Sequence, residues 1–127
     1  MLLSLSLSLS LCRFLEENTD LILLTANDGH DSSLSVAGEW AYNFLTPLLS
    51  NDNFNVDKTL VVLTFDEGLT TGTNQIYSVL LGSAISSSDV GTTDSSEYNH
   101  YSLLKTVETN WNLGNLGEND VDATAFF

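Results

Sequence analysis

Apolar and polar positions alternate along this chain in several distinct rhythms. Residues 1–14, MLLSLSLSLSLCRF, alternate Leu with Ser. As a strand, that period of two places every Leu on one face. The same stretch has the length and hydrophobicity of a signal h-region. It lacks a basic start and a small-residue cleavage site, and it is too short and serine-rich to span a bilayer. Residues 1–19 therefore read as a low-complexity or signal-like segment ahead of a domain over 20–127.

Further along, DLILLTAN at 20–27 reads as a short buried strand, and NDGHD supplies turn residues after it. From Ser33 to Leu49 the period becomes helical. Val36, Trp40, Phe44 and Leu48 recur every four residues, with Ala37, Ala41 and Leu45 alongside. Ser32, Ser33 or Ser35 can cap its start, and Pro47 bends or ends it. TLVVLTF at 59–65 is continuously apolar and β-branched, the pattern of a strand covered on both faces in a parallel sheet. QIYSVLLGS at 75–83 is a third strand candidate, followed by a long polar loop over 83–99. Residues 100–111 read as a helix with Leu103, Leu104, Val107 and Trp111 on one face, closed near Gly114. Trp40, Phe44 and Trp111 read as core. This order predicts an α/β fold with a partial mixed or parallel sheet flanked by helices.

Charge narrows the choice of function. Seventeen acids against Arg13, Lys58 and Lys105 leave a net charge of −14. That field repels the phosphates of nucleic acids and the surface of anionic membranes. It suits a chain that holds cations at carboxylates. The single cysteine, Cys12, excludes an intrachain disulfide, and no Asn-x-Ser/Thr acceptor site occurs.

Candidate chemistry sits where apolar runs end. Asp66 and Glu67 follow the 59–65 strand, and in α/β sheets ligands bind beyond the carboxyl ends of strands. Adjacent carboxylates repel unless a proton or cation lies between them, and hard oxygens suit divalent metals. Taken alone, a bare Asp-Glu is first read as solvated charge at a turn. His30, between Asp28 and Asp31, can ligate a metal or protonate a leaving group, or sit exposed on an Asp-Gly turn. His100, at the mouth of the last helix, can act likewise or help satisfy free backbone N–H groups. GLTTGT at 68–73 has no Lys and no strand–loop–helix setting, so it is discounted as a phosphate cradle.

Taken together, NDGHDSSLSVAGEWAYNFLTPLL, KTLVVLTFDE, YSVLLGSA and VGTTDSSEYNHYSLLKTVETNWNLGNLGEND resemble, in order and spacing, the C-terminal half of fungal secreted acid phosphatases. These belong to the phosphoesterase family that also contains bacterial phospholipases C. The resemblance implies an alkaline-phosphatase-like α/β fold and hydrolysis of small phosphate esters with a bound divalent metal. It implies metal-site roles for Asp66 and Glu67, and active-site roles for His30 and His100. It also implies secretion or cell-wall association. Family members are far longer, and their N-terminal half carries an acidic-Asn metal motif and the hydroxyl nucleophile. Neither is found here, so the expectation is a truncated member whose nucleophile is not among these residues. GLTTG in place of Gly-Gly after the Asp-Glu favours the fungal branch. The alternatives are a phospholipase C-like phosphodiesterase, a non-catalytic acidic remnant, and a Ca²⁺-binding module, though EF-hand spacing is absent.

Overall fold

The computed structural model describes the backbone of residues 7–13 and 17–22, and residues 27–68, 72 and 74–127. In chain order these form β1 (Leu7–Arg13), β2 (Glu17–Ile22), α1 (Leu34–Leu49), β3 (Thr59–Phe65), β4 (Ser78–Leu81) and α2 (Tyr101–Asn110). The fold is α/β. The chain divides into two units, Met1–Val90 and Gly91–Phe127.

In the first unit the strands form one sheet in the order β2-β1-β3-β4. Each pairing is antiparallel, with Leu9 opposite Leu21 in β2, Leu9 opposite Leu63 in β3, and Val62 opposite Leu80 in β4. The expected parallel or mixed pairing is thus not the one formed among the described residues. A parallel neighbour needs a crossover, usually helical, whereas among the described residues the connection from β3 to β4 shows no helix and β4 runs back along β3. Both edges of β3 are paired within this chain. The Leu/Ser alternation supplies one of those neighbours over residues 7–13; residues 1–6 of that run lie outside the described residues. The boundary expected between 19 and 20 falls inside β2.

β3 is nonetheless buried on both faces, with Thr59 through Val62 covered. Its Val61, Leu63 and Phe65 meet α1. The helix face centres on Ala37, Ala41 and Leu45, one position off the expected Val36–Trp40–Phe44–Leu48 stripe. Small alanines let the helix approach the sheet closely. Trp40 and Phe44 are pushed to the rim, half-buried, where their rings stack at 4.8 Å. Val36 is exposed. Ser33 is the N-cap, its Oγ accepting from the Val36 N–H, and Pro47 is accommodated inside the last turn. The start of β3 is pinned to the end of β4. Thr59 N–H donates to Ser83 Oγ at 3.1 Å, and Ser83 N–H donates to Asn55 Oδ1 at 2.8 Å. Gly82 has φ of +106°, and a Cβ there would collide with the Thr59 carbonyl oxygen.

The second unit is built around α2. Asn99 and Ser102 cap its start reciprocally: Asn99 N–H donates to Ser102 Oγ at 3.0 Å, and Tyr101 N–H donates to Asn99 Oδ1 at 2.9 Å. Its C-terminus closes at Asn112, not Gly114. Asn112 takes the left-handed conformation (φ 51°), its N–H bonds to the Thr109 carbonyl, and the Leu113 N–H bonds to the Glu108 carbonyl at 2.8 Å. That is the Schellman arrangement, with Asn in the usual glycine place. Among the described residues, no helix is long and apolar enough to cross a membrane.

Candidate functional site

Two polar segments meet the carboxyl end of the central strand. β3 ends at Phe65, and Asp66 and Glu67 follow at once, the first exposed and the second half-buried. Gly68 N–H is held by Asn74 Oδ1 at 2.6 Å, so the turn after the acids is tied to the approach to β4. Most of the Gly/Thr stretch that follows, residues 69–71 and 73, lies outside the described residues.

The second segment is the 27–32 loop. Asp28 is buried, and its Oδ1 accepts from the His30 N–H at 2.8 Å. This Asx turn explains why an Asp sits two residues before the histidine. Gly29 between them has φ of +89°, and a Cβ built there would lie 3.7 Å from Ala37 Cβ and 3.8 Å from the Phe65 ring. The loop therefore rests on Phe65, the residue next in chain to Asp66. The His30 loop thus passes near the side chain of the last residue of β3, and Asp66 and Glu67 follow that residue in the chain.

His30 Nδ1 lies 3.0 Å from Asp31 Oδ1. The imidazole is 25% exposed and Asp31 69% exposed. With Nδ1 engaged, Nε2 is the nitrogen left for another partner, and Asp31 orients the ring. Because Asp31 is so open to water, its contribution is orientation more than charge. Asp28 and Asp31, adjacent in type and spacing, thus take separate tasks: one shapes the loop and the other aims the histidine. The motif NDGHD contains the signal for both. Ser32 Oγ is buried beside them, with no hydrogen-bond partner among the described residues.

His100 belongs to the second unit and is exposed at the start of α2. Asn99 and Ser102 cap free N–H groups there. It lines a depression of about 420 Å³ with Asn99, Tyr101, Glu118, Asn119 and Asp122. Two carboxylates in that lining make the depression a poor host for a phosphate dianion.

Carboxylate oxygens at Asp66 and Glu67 are of the type that binds a hard divalent cation. Among the described residues, however, no three His, Cys, Asp or Glu side chains converge into a metal site. Asp66 and Glu67 are therefore at most part of a ligand set, and these residues alone do not form a closed metal centre.

The family model described as the Phosphoesterase family matches residues 13–114. A probable acid phosphatase from Kluyveromyces lactis is 52% identical over 98 residues, covering 76% of this chain and 23% of its own length. An acid phosphatase from Aspergillus niger is 46% identical over 104 residues, 79% of this chain and 24% of its own length. A phosphate-repressible acid phosphatase from Penicillium chrysogenum is 47% identical over 98 residues, with 76% and 24% covered. The chain thus spans about a quarter of the length of the curated relatives it matches. No solved structure matches it.

Proposed function

Since the chain belongs to the phosphoesterase family, we propose that it carries one corner of the active site of a metal-assisted, acid-phosphatase-like phosphomonoesterase, a hydrolase of small phosphate esters. The observation that supports this reading is the approach of Gly29, in the loop that carries His30, to the ring of Phe65, the residue before Asp66 and Glu67. The full ligand set and the hydroxyl nucleophile would come from sequence outside these 127 residues, in keeping with relatives of which the matched stretch covers 23%. Secretion or association with the cell wall belongs to the same reading.

His30, aimed by Asp31, is the proton donor to the leaving oxygen. His100 is the weaker candidate for that task, because the depression it lines is acidic. Asp66 and Glu67 supply two oxygens to a divalent ion, which would neutralise phosphate charge that a chain of net charge −14 cannot offset with its own cations.

The test is a chimera in which residues 13–114 replace the matching quarter of the Kluyveromyces lactis relative. It should hydrolyse p-nitrophenyl phosphate and lose turnover with chelator. Asp66→Ala should weaken metal binding and abolish activity with it, and His30→Ala should lower kcat by about 10²–10⁴-fold. Turnover indifferent to both substitutions defeats the site assignment. A chimera that folds and binds metal without any turnover defeats the hydrolase reading.

A further inference from the structure

α2 buries unusual residues for a helix of its sequence. Its covered positions are Ser102, Thr106 and Glu108, while Leu103, Leu104 and Val107 are only half-buried. Ser102 and Thr106 are accounted for by bonds: Thr106 Oγ1 donates to the Ser102 carbonyl at 2.7 Å and accepts from the Phe126 N–H at 2.9 Å. Glu108 is different. It is 5% exposed, and neither of its oxygens meets a hydrogen-bond donor among the described residues.

What Glu108 faces is another carboxyl group. Asp120 is fully buried beside it: its neighbour Val121 is held by Lys105, one turn before Glu108 on α2. Asp120 already accepts from the Leu116 N–H at 2.7 Å on Oδ2 and from the Glu118 N–H at 2.9 Å on Oδ1. Those two donors favour the ionised aspartate. A second bare carboxylate beside it, buried and without donors, would be repelled and undersolvated. A protonated carboxyl has a donor to give, and the aspartate is a charged acceptor. The other charged group facing Glu108 is Lys105, from α2 itself. It lines the same cavity of about 230 Å³ and donates to the Val121 carbonyl at 3.3 Å. That ammonium disfavours any added cation, so a proton on Glu108 has to be held by burial and by the neighbouring aspartate.

We propose that Glu108 and Asp120 share one proton, carried by Glu108 and donated to Asp120, and that this bond fastens the segment 111–123 onto α2 in acid and releases it as pH rises. The proton affinities run in the required directions. Burial first, then the charge of Asp120, push Glu108 up, with Lys105 acting the other way. Burial also raises Asp120, but the N–H groups of Leu116 and Glu118 and the bond from Glu108 carry it below its ordinary value. A carboxyl whose folded pKa is raised contributes stability that is full below its unfolded value and is lost as pH rises through the folded one. One whose folded pKa is depressed contributes stability that is lost as pH falls through it. The pair is therefore tightest between the two, in mild acid. It is independent of the catalytic reading.

The test uses the whole chain. The ¹³C resonance of the Glu108 carboxyl should titrate above the ordinary glutamate range, and Tm should decline as pH rises through that midpoint. Glu108→Gln, whose amide donates at every pH, should erase that part of the decline. Titration of Glu108 at or below the ordinary range overturns the proposal. So does a Glu108 resonance that shifts on adding calcium in mild acid, since a cation would then hold the place of the proton. Should the Gln variant fail to fold, the wild-type titration decides alone.

Discussion

The two units of this chain are stabilised in opposite ways. The first closes over an apolar interior, Ala37, Ala41 and Leu45 of α1 with Leu60, Val61 and Val62 of β3, and among its described residues Asp28 and Thr59 are the buried polar ones. The second has Ser102, Thr106, Glu108 and Asp120 among its buried residues, with Ala123. Apolar burial is non-directional and tolerates adjustment, whereas a polar interior depends on each donor meeting its acceptor. The difference also sets where proton chemistry can occur. In the first unit Asp66 and Asp31 lie open to water. In the second, carboxyls are withdrawn from it, and their affinities for protons move apart.

Substitution can break this comparison. The largest stability effect is expected in the apolar interior, where Leu45→Ala should cost about 2–5 kcal/mol in urea unfolding, from lost burial and the cavity left behind. A cost under ~1 kcal/mol would mean that α1 contributes little to the first unit. Next, Thr106→Val keeps the volume but strips the Phe126 N–H of its acceptor. A loss of about 1–3 kcal/mol is expected. Were the valine variant equally or more stable, the polar interior of the second unit would be dispensable, and the contrast with the first would fail. The smallest effect concerns the end of α2. Asn112→Ala should lose about 1 kcal/mol because an ordinary residue resists φ of 51°, while Asn112→Gly should keep or slightly exceed the starting stability. Equal losses from both would show that the asparagine side chain, and not its backbone, secures the cap.

Much of this was legible in the chain. Seven consecutive apolar and β-branched residues delimit β3 at Thr59–Phe65, because such a run has no solvent face to present. The helical period and Ser33 delimit α1 in the same way. The expectation for α2 located the helix but missed its buried face. Leu103, Leu104 and Val107 look like the core side by hydropathy, yet the short polar side chains and Glu108 are the ones covered. Hydropathy ranks transfer from water; it does not register that Thr106 and Asp120 find backbone partners. The candidate site was legible as two strand-end clusters, His30 with its flanking acids and Asp66 with Glu67. The approach of the first cluster's loop to Phe65 was not, since it involves a glycine in the left-handed region 36 positions away in sequence.

By itself, then, the sequence determined local periodicity, the chief element positions, the acidic field and the kind of chemistry its strand ends can support, because these follow from each residue and its near neighbours. The direction of strand pairing, the choice of Ala37, Ala41 and Leu45 as the packed face, the division of labour between Asp28 and Asp31, and the enclosure of Glu108 against Asp120 were decided only in three dimensions. Each of those depends on which distant group arrives to fill a space or complete a hydrogen bond, and a one-dimensional pattern does not carry that information.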